Sequence, residues 1–189
     1  MEIPDFKKYF EDPLETFIKK DDFLKSIPRK VDENIDLIKR RVYIDETVEI
    51  KTPIRIEGPV YIGPNCKIGP FSYIRSGTYL EGYNHVGNSE IKNSLILEGS
   101  NMPHFNYVGD SIIGRNCNFG AGAKTANLRL DEGYIRLNGE KTGRKKLGVV
   151  MGDNVKIGIN VCLYPGEIIE SNSFVYIDLK AQRKVIKKG

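Results

Sequence analysis

Cysteine and histidine are scarce in this chain of 189 residues, which contains three cysteines and two histidines. Cys66, Cys117 and Cys162 are an odd number, show no CxxC spacing and have no histidine close by in the sequence. Disulfide frameworks and zinc sites normally need paired or closely spaced ligands. The sequence therefore predicts neither a disulfide framework nor a metal site, and a reducing cytoplasm suits it best.

Long apolar segments are also lacking. No run approaches the roughly 18 apolar residues that a membrane span needs, and the first residues, MEIPDFKKYFEDP, contain no apolar core of a secretory signal. The formal net charge of +4 is compatible with a phosphorylated substrate but too small to indicate nucleic acid. We therefore expect a cytoplasmic protein with neither a membrane nor a nucleic acid as its partner.

An aliphatic residue recurs at every sixth position from Ile44 onwards. The series is Ile44, Ile50, Ile56, Ile62, Ile68, Ile74, Leu80 and Val86. Neither an α-helix, with a period of about 3.6, nor an alternating strand, with a period of about 2, favours a strict period of six. The pattern predicts an all-β fold, a three-sided parallel β-helix of hexapeptide repeats in which each coil buries its apolar edge against the next. The period does not specify the hand of this helix.

Two kinds of interruption break the period. The step shortens to five residues three times between Val86 and Ile113, and a charged, glycine-rich segment at 126–148 precedes Met151. Six-residue steps then resume and continue to Val175. Long loops within compact domains are usually functional or disordered, so we expect segment 126–148 to be a loop extruded from one corner of the coil.

The two ends of the chain do not follow the repeat. Asp12-Pro13 and the stretch 32–40 have the pattern of helix starts, in which a cap residue precedes proline or acidic residues. We expect a small helical cap over the open first coil, since the ends of solenoids need protection. The predicted division of the chain is a helical N-terminal segment 1–41, a β-helix 42–178 with the extruded loop 126–148, and a basic C-terminal tail 179–189.

His104 is the stronger of the two histidines as a candidate for chemistry. It lies in NMPHFNYVGD, just before a shortened step that changes which side chains face outward, although a structural interpretation is equally open. His85 lies in a regular hexapeptide and is better explained as a surface or turn histidine. Arg75, Lys92 and the basic group 144–146 are cations of a kind that is more often solvated than functional. The string NFGAG is weak evidence for a phosphate cradle, because any coil has glycine-rich turns.

Several strings between Ile74 and Gly166 are more specific when taken together. They are IRSGTYLEGYNHVGN, EIKNS, HFNYVGDSIIGRNCNFGAG, TANLRLDE, GRKKLG and MGDNVKIGINV. This series resembles the C-terminal acetyltransferase domain of the bifunctional UDP-N-acetylglucosamine pyrophosphorylase/glucosamine-1-phosphate acetyltransferases, and most closely the archaeal-type sugar-1-phosphate nucleotidylyltransferase/acetyltransferases. The resemblance implies a left-handed β-helix, acetyl-CoA as co-substrate, and a homotrimer whose sites lie between subunits and whose extruded loop reaches a neighbour.

The resemblance also implies a role for individual residues. His104 is similar to the catalytic base that takes a proton from the attacking sugar amine, and Asn127 to the residue that orients this base. The matching sugar-phosphate residues are Arg75, Lys92, Tyr107, Asn118 and Lys146. The matching residues for the acetyl group and CoA are Ala121, Gly122, Ile159 and Ile177. Acetyl transfer to glucosamine 1-phosphate or galactosamine 1-phosphate would then be direct, with no metal and no covalent enzyme intermediate.

The sequence departs from the family pattern in three places. At this length we expect no nucleotidylyltransferase domain, so the protein should not make UDP-sugars by itself. Leu128-Arg129 stands where the bacterial proteins have an aromatic-acid pair, as in the archaeal type, which puts the identity of the amino sugar in doubt. The last coil, SNSFVYIDLK, lacks the usual glycine-proline turn, so CoA contacts there are in doubt as well. The basic residues that would substitute for them are Lys180, Arg183 and Lys184.

Two other functions stay open at the level of sequence. One is a non-catalytic trimeric scaffold that binds a separate nucleotidylyltransferase through segment 1–41. The other is an acyltransferase for a different amine, such as an amino-sugar nucleotide. The joint presence of His104, Tyr107, Asn118 and Asn127 favours an enzyme, because a scaffold requires none of them.

Overall fold

The structure is a computed structural model that describes residues 4–27, 36–38, 41–177 and 184–187. These residues contain one α-helix and a series of short β-strands. In chain order the elements are α1 (Pro13–Ser26), β1 (Asp36–Ile38), β2 (Val42–Ile44), β3 (Glu49–Ile50), β4 (Arg55–Glu57), β5 (Val60–Ile62), β6 (Lys67–Ile68), β7 (Tyr73–Ile74), β8 (Thr78–Leu80), β9 (His85–Val86), β10 (Glu90–Lys92), β11 (Leu95–Ile96), β12 (Asn101–Met102), β13 (Tyr107–Gly109), β14 (Ile112–Ile113), β15 (Asn118–Phe119), β16 (Lys124–Thr125), β17 (Arg136–Leu137), β18 (Glu140–Lys141), β19 (Val150–Met151), β20 (Lys156–Ile157), β21 (Cys162–Leu163), β22 (Ile168–Ile169), β23 (Ser173–Tyr176) and β24 (Lys184–Lys187).

Successive coils contribute one strand to each of three sheets, so the predicted parallel β-helix of hexapeptide repeats is confirmed. Sheet A has the order β1-β4-β7-β10-β13-β16-β21, sheet B the order β2-β5-β8-β11-β14-β19-β22, and sheet C the order β3-β6-β9-β12-β15-β20-β23-β24. Neighbouring coils pair in parallel, as Val42 does with Val60. The last strand, β24, lies in the basic tail and pairs antiparallel with β23.

The side chains of the six-residue series fill the interior. Ile56, Ile62, Ile74, Leu80 and Val86 are completely buried, and the series continues after the loop with Met151, Leu163 and Val175. The inward position at the end of each strand explains this burial, because every third hexapeptide stacks directly on the one below. Thr78, four residues after Ile74, is also completely buried, because each hexapeptide turns a second side chain towards the narrow interior.

The shortened steps remove residues at the corners and leave the interior in register. Leu95 pairs with Tyr79 and Ile112, so these coils contain 16 and 17 residues instead of the 18 that separate Val42 from Val60. Two of the shortened steps lie at the corner where sheet A turns into sheet B. That corner carries Asn93 and Asp110, both with positive φ (44° and 50°), a conformation that Asn and Asp tolerate better than most residues.

Helix α1 begins where the sequence predicts a helix start but packs on a different surface. Asp12 caps it, accepting a hydrogen bond from the backbone N–H of Glu15 at 3.1 Å. The helix lies along the outer face of sheet B, where the ring of Phe23 meets the rings of Tyr61 and Tyr79 edge-on. The expectation of a cap over the first coil is therefore wrong for α1. The outer face of sheet B carries a stack of apolar side chains that must be covered, and the helix covers them.

The second predicted helix start, in 32–40, is also wrong where the structure describes it. Residues 36–38 form β1, which pairs in parallel with β4. The prediction failed because acidic residues before an apolar pair fit a helix start and a strand equally well, and pairing with the next coil decides between them. The remaining residues of that stretch, together with Lys180 and Arg183, lie outside the described residues.

The predicted loop 126–148 leaves the coil after β16 and returns to it at β19. Its middle forms the antiparallel hairpin β17–β18. Ile135 and Leu147 are completely buried in the apolar cluster between α1 and sheet B, and the guanidinium of Arg144 lies over the ring of Phe17 at 5.0 Å. The loop is therefore anchored to the same side face as the helix.

Candidate active site

His104 lies at the corner between sheets C and A, in the turn from β12 to β13. Its side chain is exposed, but its backbone is held on both sides. The N–H donates to Asn106 Oδ1 at 3.1 Å, and the carbonyl accepts the N–H of Gly122 at 3.0 Å. Asn106 is buried and donates to the carbonyl of Gly120 at 2.7 Å, which ties this turn to the next. The result is an accessible imidazole on a fixed main chain, which suits a general base.

The turn 120–122 of the next coil stacks on the turn of His104. A side chain at Gly122 would place its Cβ 2.2 Å from Asn160 Oδ1, and φ there is +74°, so only glycine fits. The N–H of Gly122 is used by His104, whereas no hydrogen bond among the described residues uses the N–H of Ala121. An open backbone N–H close to a base is suited to stabilising an oxyanion.

A cluster of polar side chains lies where sheet A turns into sheet B. Asp110 is 4% exposed, and its carboxylate accepts hydrogen bonds from Lys92 Nζ at 2.8 Å, from Asn93 Nδ2 at 2.7 Å and from Asn127 Nδ2. Asn127 Nδ2 also lies 3.3 Å from the Tyr107 hydroxyl. Three residues that the sequence predicts for the site, Lys92, Tyr107 and Asn127, are thus gathered around one buried carboxylate.

Burial and hydrogen bonding act in opposite directions on this carboxylate. Burial raises the pKa of Asp110, but the three hydrogen bonds to its oxygens outweigh burial and hold the pKa below its ordinary value. Burial also raises the pKa of the Tyr107 phenol. Asp110 is therefore ionised at neutral pH and Tyr107 is protonated, so the cluster pairs the Lys92 ammonium with a carboxylate while keeping one phenolic O–H.

Arg75 lies on the same sheet. Its guanidinium is 2.7 Å from Glu90 Oε1 and 5.5 Å from the centre of the Tyr73 ring. The hydrogen bond to Glu90 raises the pKa of Arg75. Glu90 pairs with Tyr107 on the next coil, so Arg75 and the Asp110 cluster occupy adjacent positions on sheet A.

Asn118 is on a different face. It lies in β15 of sheet C, in register with Asn101, which is in register with His85. A cleft of about 370 Å³ on sheet C is lined by Asn101, Asn118 and His85, among others. Burial lowers the pKa of His85, and the neighbouring His104 and Lys67 act in the same direction. Within one chain the structure does not bring Asn118 to the Lys92 and Tyr107 side of the corner.

One further predicted residue, Lys146, adjoins the cluster through the loop. The backbone N–H of Leu147 donates to the carbonyl of Asn127 at 3.0 Å, and Leu128 forms an antiparallel bridge with Lys146, whose side chain is exposed. The described residues show no hydrogen bond between Asn127 and His104, because the Asn127 amide is engaged by Asp110 and Tyr107. The orienting role of Asn127 therefore stays a prediction.

The residues predicted for CoA lie along one corner. Asn160, next to Ile159, donates its N–H to the carbonyl of Ala121 at 2.8 Å, and Ile177 follows β23 on the coil after that. Ile159 and Ile177 are 67% and 44% exposed. The corner thus presents, in order, His104, Ala121 and two accessible aliphatic side chains, which is a suitable surface for a partly apolar ligand.

Sequence reasoning missed three residues of this arrangement. Asp110 stands in the motif HFNYVGD but had no assigned role, although an acid just before a shortened step is a usable signal. Asn93 follows Lys92 in the string EIKNS but was likewise given no role. Lys20, whose side chain is completely buried against Asn93, had no signal at all, because lysine on a helix is normally exposed.

A comparison with solved structures supports the fold. The coil and its corner turns define a hexapeptide-repeat protein. A solved hexapeptide transferase family protein from Anaplasma phagocytophilum matches with a TM-score of 0.60 and 18% identity, covering 78% of this chain and 79% of that one. No family model matches the chain. Among the residues that the structure describes, no helix is long and apolar enough to cross a membrane, and no cluster of side chains could hold a metal ion.

The sequence relatives are more specific. Homologues of this chain include bifunctional GlmU proteins and an archaeal-type bifunctional sugar-1-phosphate nucleotidylyltransferase/acetyltransferase. The bifunctional protein GlmU of Methanococcus vannielii is 43% identical over 174 residues, which is 88% of this chain and 42% of the relative. The bifunctional sugar-1-phosphate nucleotidylyltransferase/acetyltransferase of Sulfurisphaera tokodaii is 46% identical over 160 residues, 82% of this chain and 40% of the relative. The chain thus spans about two fifths of the length of these relatives.

Proposed function

We propose that this chain transfers an acetyl group from acetyl-CoA to the amine of an amino-sugar 1-phosphate, either glucosamine 1-phosphate or galactosamine 1-phosphate. The names of its relatives, which include a sugar-1-phosphate nucleotidylyltransferase/acetyltransferase, support this class of reaction. The shared fold with a hexapeptide transferase is consistent with it. No metal is required by the chemistry proposed.

One observation carries the proposal. His104 and the open N–H of Ala121 lie on neighbouring rungs of the same corner, linked by the hydrogen bond from Gly122 to the His104 carbonyl. Adjacent parallel strands are about 4.8 Å apart, so a base and an oxyanion donor are within reach of one reacting carbonyl. Direct acyl transfer to an amine needs these two groups and no nucleophile from the protein.

The reaction follows from these positions. The substrate amine is protonated in water and cannot attack a thioester, so His104 takes a proton from it. The amine lone pair then attacks the thioester carbonyl carbon, and the oxygen gains negative charge that the Ala121 N–H stabilises. That attack forms the C–N bond, and collapse of the tetrahedral intermediate then restores the C=O bond and breaks the C–S bond. The CoA sulfur leaves with the electron pair and takes the proton held by His104, while the nitrogen loses its second proton to solvent and becomes the amide.

The sugar phosphate would be bound by sheet A. Arg75 and Lys92 supply a planar fork and a point charge, respectively, both of which suit a phosphate dianion. Arg75 already contacts Glu90, and Lys92 already contacts Asp110. Both cations are therefore held in place before a phosphate binds, and binding would not have to order two mobile side chains. Lys146, exposed beside Leu128, is a further candidate phosphate contact.

We also propose a homotrimer in which sheet A of one subunit, with Lys92 and Tyr107, faces sheet C of another. The predicted substrate residues are divided between sheets A and C, so a single chain presents an incomplete site. A neighbour would supply Asn118 across from Lys92 and Tyr107. Cytoplasmic location stays a prediction of the sequence.

Acetyl transfer by wild-type protein and by the variant His104→Ala is the direct test. Mass spectrometry should detect N-acetylated product from one or both amino-sugar 1-phosphates with the wild type. His104→Ala should lower kcat by about 10²- to 10⁴-fold, the usual contribution of a general base, with unchanged thermal unfolding.

Added imidazole serves as the matched control. It should restore part of the turnover of His104→Ala, because the small base can occupy the vacated volume, and should leave the wild type unaffected. Wild-type rates in folded His104→Ala would overturn the mechanism. A folded wild type that acetylates neither sugar would instead favour a scaffold or a different amine.

A further inference from the structure

Lys20 projects from α1 towards the β-helix, and its side chain is completely buried. Its ammonium donates hydrogen bonds to Asp21 Oδ1 at 2.6 Å, to the Gly77 carbonyl at 2.6 Å and to Asn93 Oδ1 at 3.1 Å. Burying an ammonium group is costly even when it is fully hydrogen-bonded, and an apolar side chain of similar length would attach the helix at lower cost. The charge at this position therefore points to a role beyond packing.

Asn93 connects Lys20 to the candidate site through hydrogen bonds on both sides of its side-chain amide. An ammonium only donates hydrogen bonds, so Asn93 must turn its carbonyl oxygen towards Lys20 and its NH₂ group towards Asp110, which accepts it at 2.7 Å. The other carboxylate oxygen of Asp110 accepts Lys92 Nζ at 2.8 Å and the amide of Asn127. A continuous hydrogen-bond path thus runs from the helix to two predicted site residues.

A cleft next to this hydrogen-bond path is bordered both by α1 and by the candidate site. The cleft, of about 370 Å³, opens between α1 and the corner of sheets A and B, and it is lined by Asp21, Lys25, Ser76 and Lys92, among others. A ligand that contacts Lys92 from this side would also touch α1. The helix is therefore a wall of the candidate binding region as well as a cover for sheet B.

We propose that Lys20 is a positioning residue for the sugar-phosphate site. By fixing the Asn93 amide it keeps three hydrogen bonds on the Asp110 carboxylate, and that carboxylate holds Lys92 and Asn127. Substrate binding on sheet A thus depends on a side chain from outside the coil. This inference rests on the proposed function for its substrate, but the hydrogen-bond path itself does not.

Steady-state kinetics of Lys20→Met test the proposal in the full chain. Methionine keeps the length and the apolar contacts of lysine but cannot orient Asn93. The KM for glucosamine 1-phosphate or galactosamine 1-phosphate should rise about tenfold, the lower end of the effect of removing a group that orients a ligand-binding residue. The KM for acetyl-CoA should stay within twofold, because the CoA surface lies on another corner. Lys19→Met, at an exposed position of the same helix that does not line the cleft, should match the wild type in both values.

A double-mutant cycle tests the relay through Asn93. Asn93→Gly accepts the positive φ and removes the relay. If Lys20 acts through Asn93, the double variant Lys20→Met/Asn93→Gly should raise the sugar-phosphate KM no further than Asn93→Gly alone. If the increases in sugar-phosphate KM caused by the two single substitutions add up in the double variant, the two residues act independently, which would overturn the proposed path through Asn93.

An NMR comparison does not depend on turnover. With ¹⁵N-labelled asparagine, the side-chain amide resonances of Asn93 and Asn127 should shift in Lys20→Met and stay in place in Lys19→Met. Coincident spectra, or a loss of kcat with both KM values unchanged, would show that Lys20 only attaches the helix and would overturn the proposal. If the wild type transfers no acetyl group, the proposed function fails, and the Asn127 resonance alone decides whether the coupling from the helix exists.

Discussion

At the scale of single residues, the hydroxyl groups of two buried tyrosines, Tyr79 and Tyr9, differ in whether they have a hydrogen-bond partner. Tyr79 is completely buried among the rings of Phe6, Phe23 and Tyr61, and its hydroxyl has no hydrogen-bond partner among the described residues. The Tyr9 hydroxyl, in contrast, donates to Asp153 Oδ1 at 2.7 Å. An unpaired buried hydroxyl is destabilising, whereas a hydrogen bond to a carboxylate is among the stronger ones.

Substituting phenylalanine at these two tyrosines should therefore have opposite effects. Tyr79→Phe should raise the free energy of unfolding by about 1 kcal/mol, because it removes an unsatisfied group without creating a cavity. Tyr9→Phe should lower it by about 1.5–2 kcal/mol, because it leaves the Asp153 carboxylate short of one donor. Urea unfolding at a single protein concentration measures both. A Tyr79→Phe variant less stable than the wild type would mean that this hydroxyl has a partner.

At the scale of elements, α1 is held by one face only. Phe17, Phe23 and Leu24 are buried against sheet B and the loop, whereas Ile18 is 49% exposed. A helix of 14 residues has marginal stability by itself, so tertiary contacts of this face determine whether it forms.

Phe23→Ala should detach this face and destabilise the protein by about 3–4 kcal/mol, the usual loss for a large buried aromatic side chain. Ile18→Ala, on the exposed side of the same helix, should change stability by less than about 1 kcal/mol. Circular dichroism during denaturant unfolding would record both changes. Equal effects of the two substitutions would contradict the packing of α1 on sheet B.

At the scale of the whole molecule, the corner between sheets C and A exposes unusually large apolar side chains. Phe71 and Phe105 are 64% and 67% exposed, and both have positive φ (61° and 52°), which is rare for bulky residues. Phe105 lies in the turn of His104, and Phe71 lines the same surface cleft as Phe105. Exposed aromatic residues in a sparsely populated backbone conformation beside an incomplete site favour contact with another copy of the chain.

Phe105→Asp should therefore convert a trimer into monomers. Light scattering coupled to size-exclusion chromatography should give about three chain masses for the wild type and one for this variant, because a charge in an apolar contact is not tolerated. Ile18→Asp, an equivalent change on the exposed side of α1, should remain trimeric. A monomeric wild type, or a trimeric Phe105→Asp, would contradict the proposed assembly.

Much of the architecture could be predicted from the sequence. A period of six can be satisfied only by a chain that returns to the same inward position on each side of a coil, so the period alone assigns Ile62, Leu80 and Met151 to the interior. The shortened steps and the loop 126–148 were visible for the same reason, because an interruption of a strict period is conspicuous. The motif around His104 was equally local, and the structure places this residue at an exposed corner.

Other features required the three-dimensional structure. The location of α1 depended on which outer face of the coil is apolar, and that face is assembled from strands 16 to 18 residues apart. The division of the predicted site between sheets A and C depended on the same winding. The path from Lys20 through Asn93 to Asp110 has no sequence signature, because its three members lie in different elements and a buried lysine looks like an exposed one. The sequence by itself determined the repeat and its inward residues, since these rest on local periodicity, whereas only the tertiary structure decided which distant polar groups meet and which face is covered.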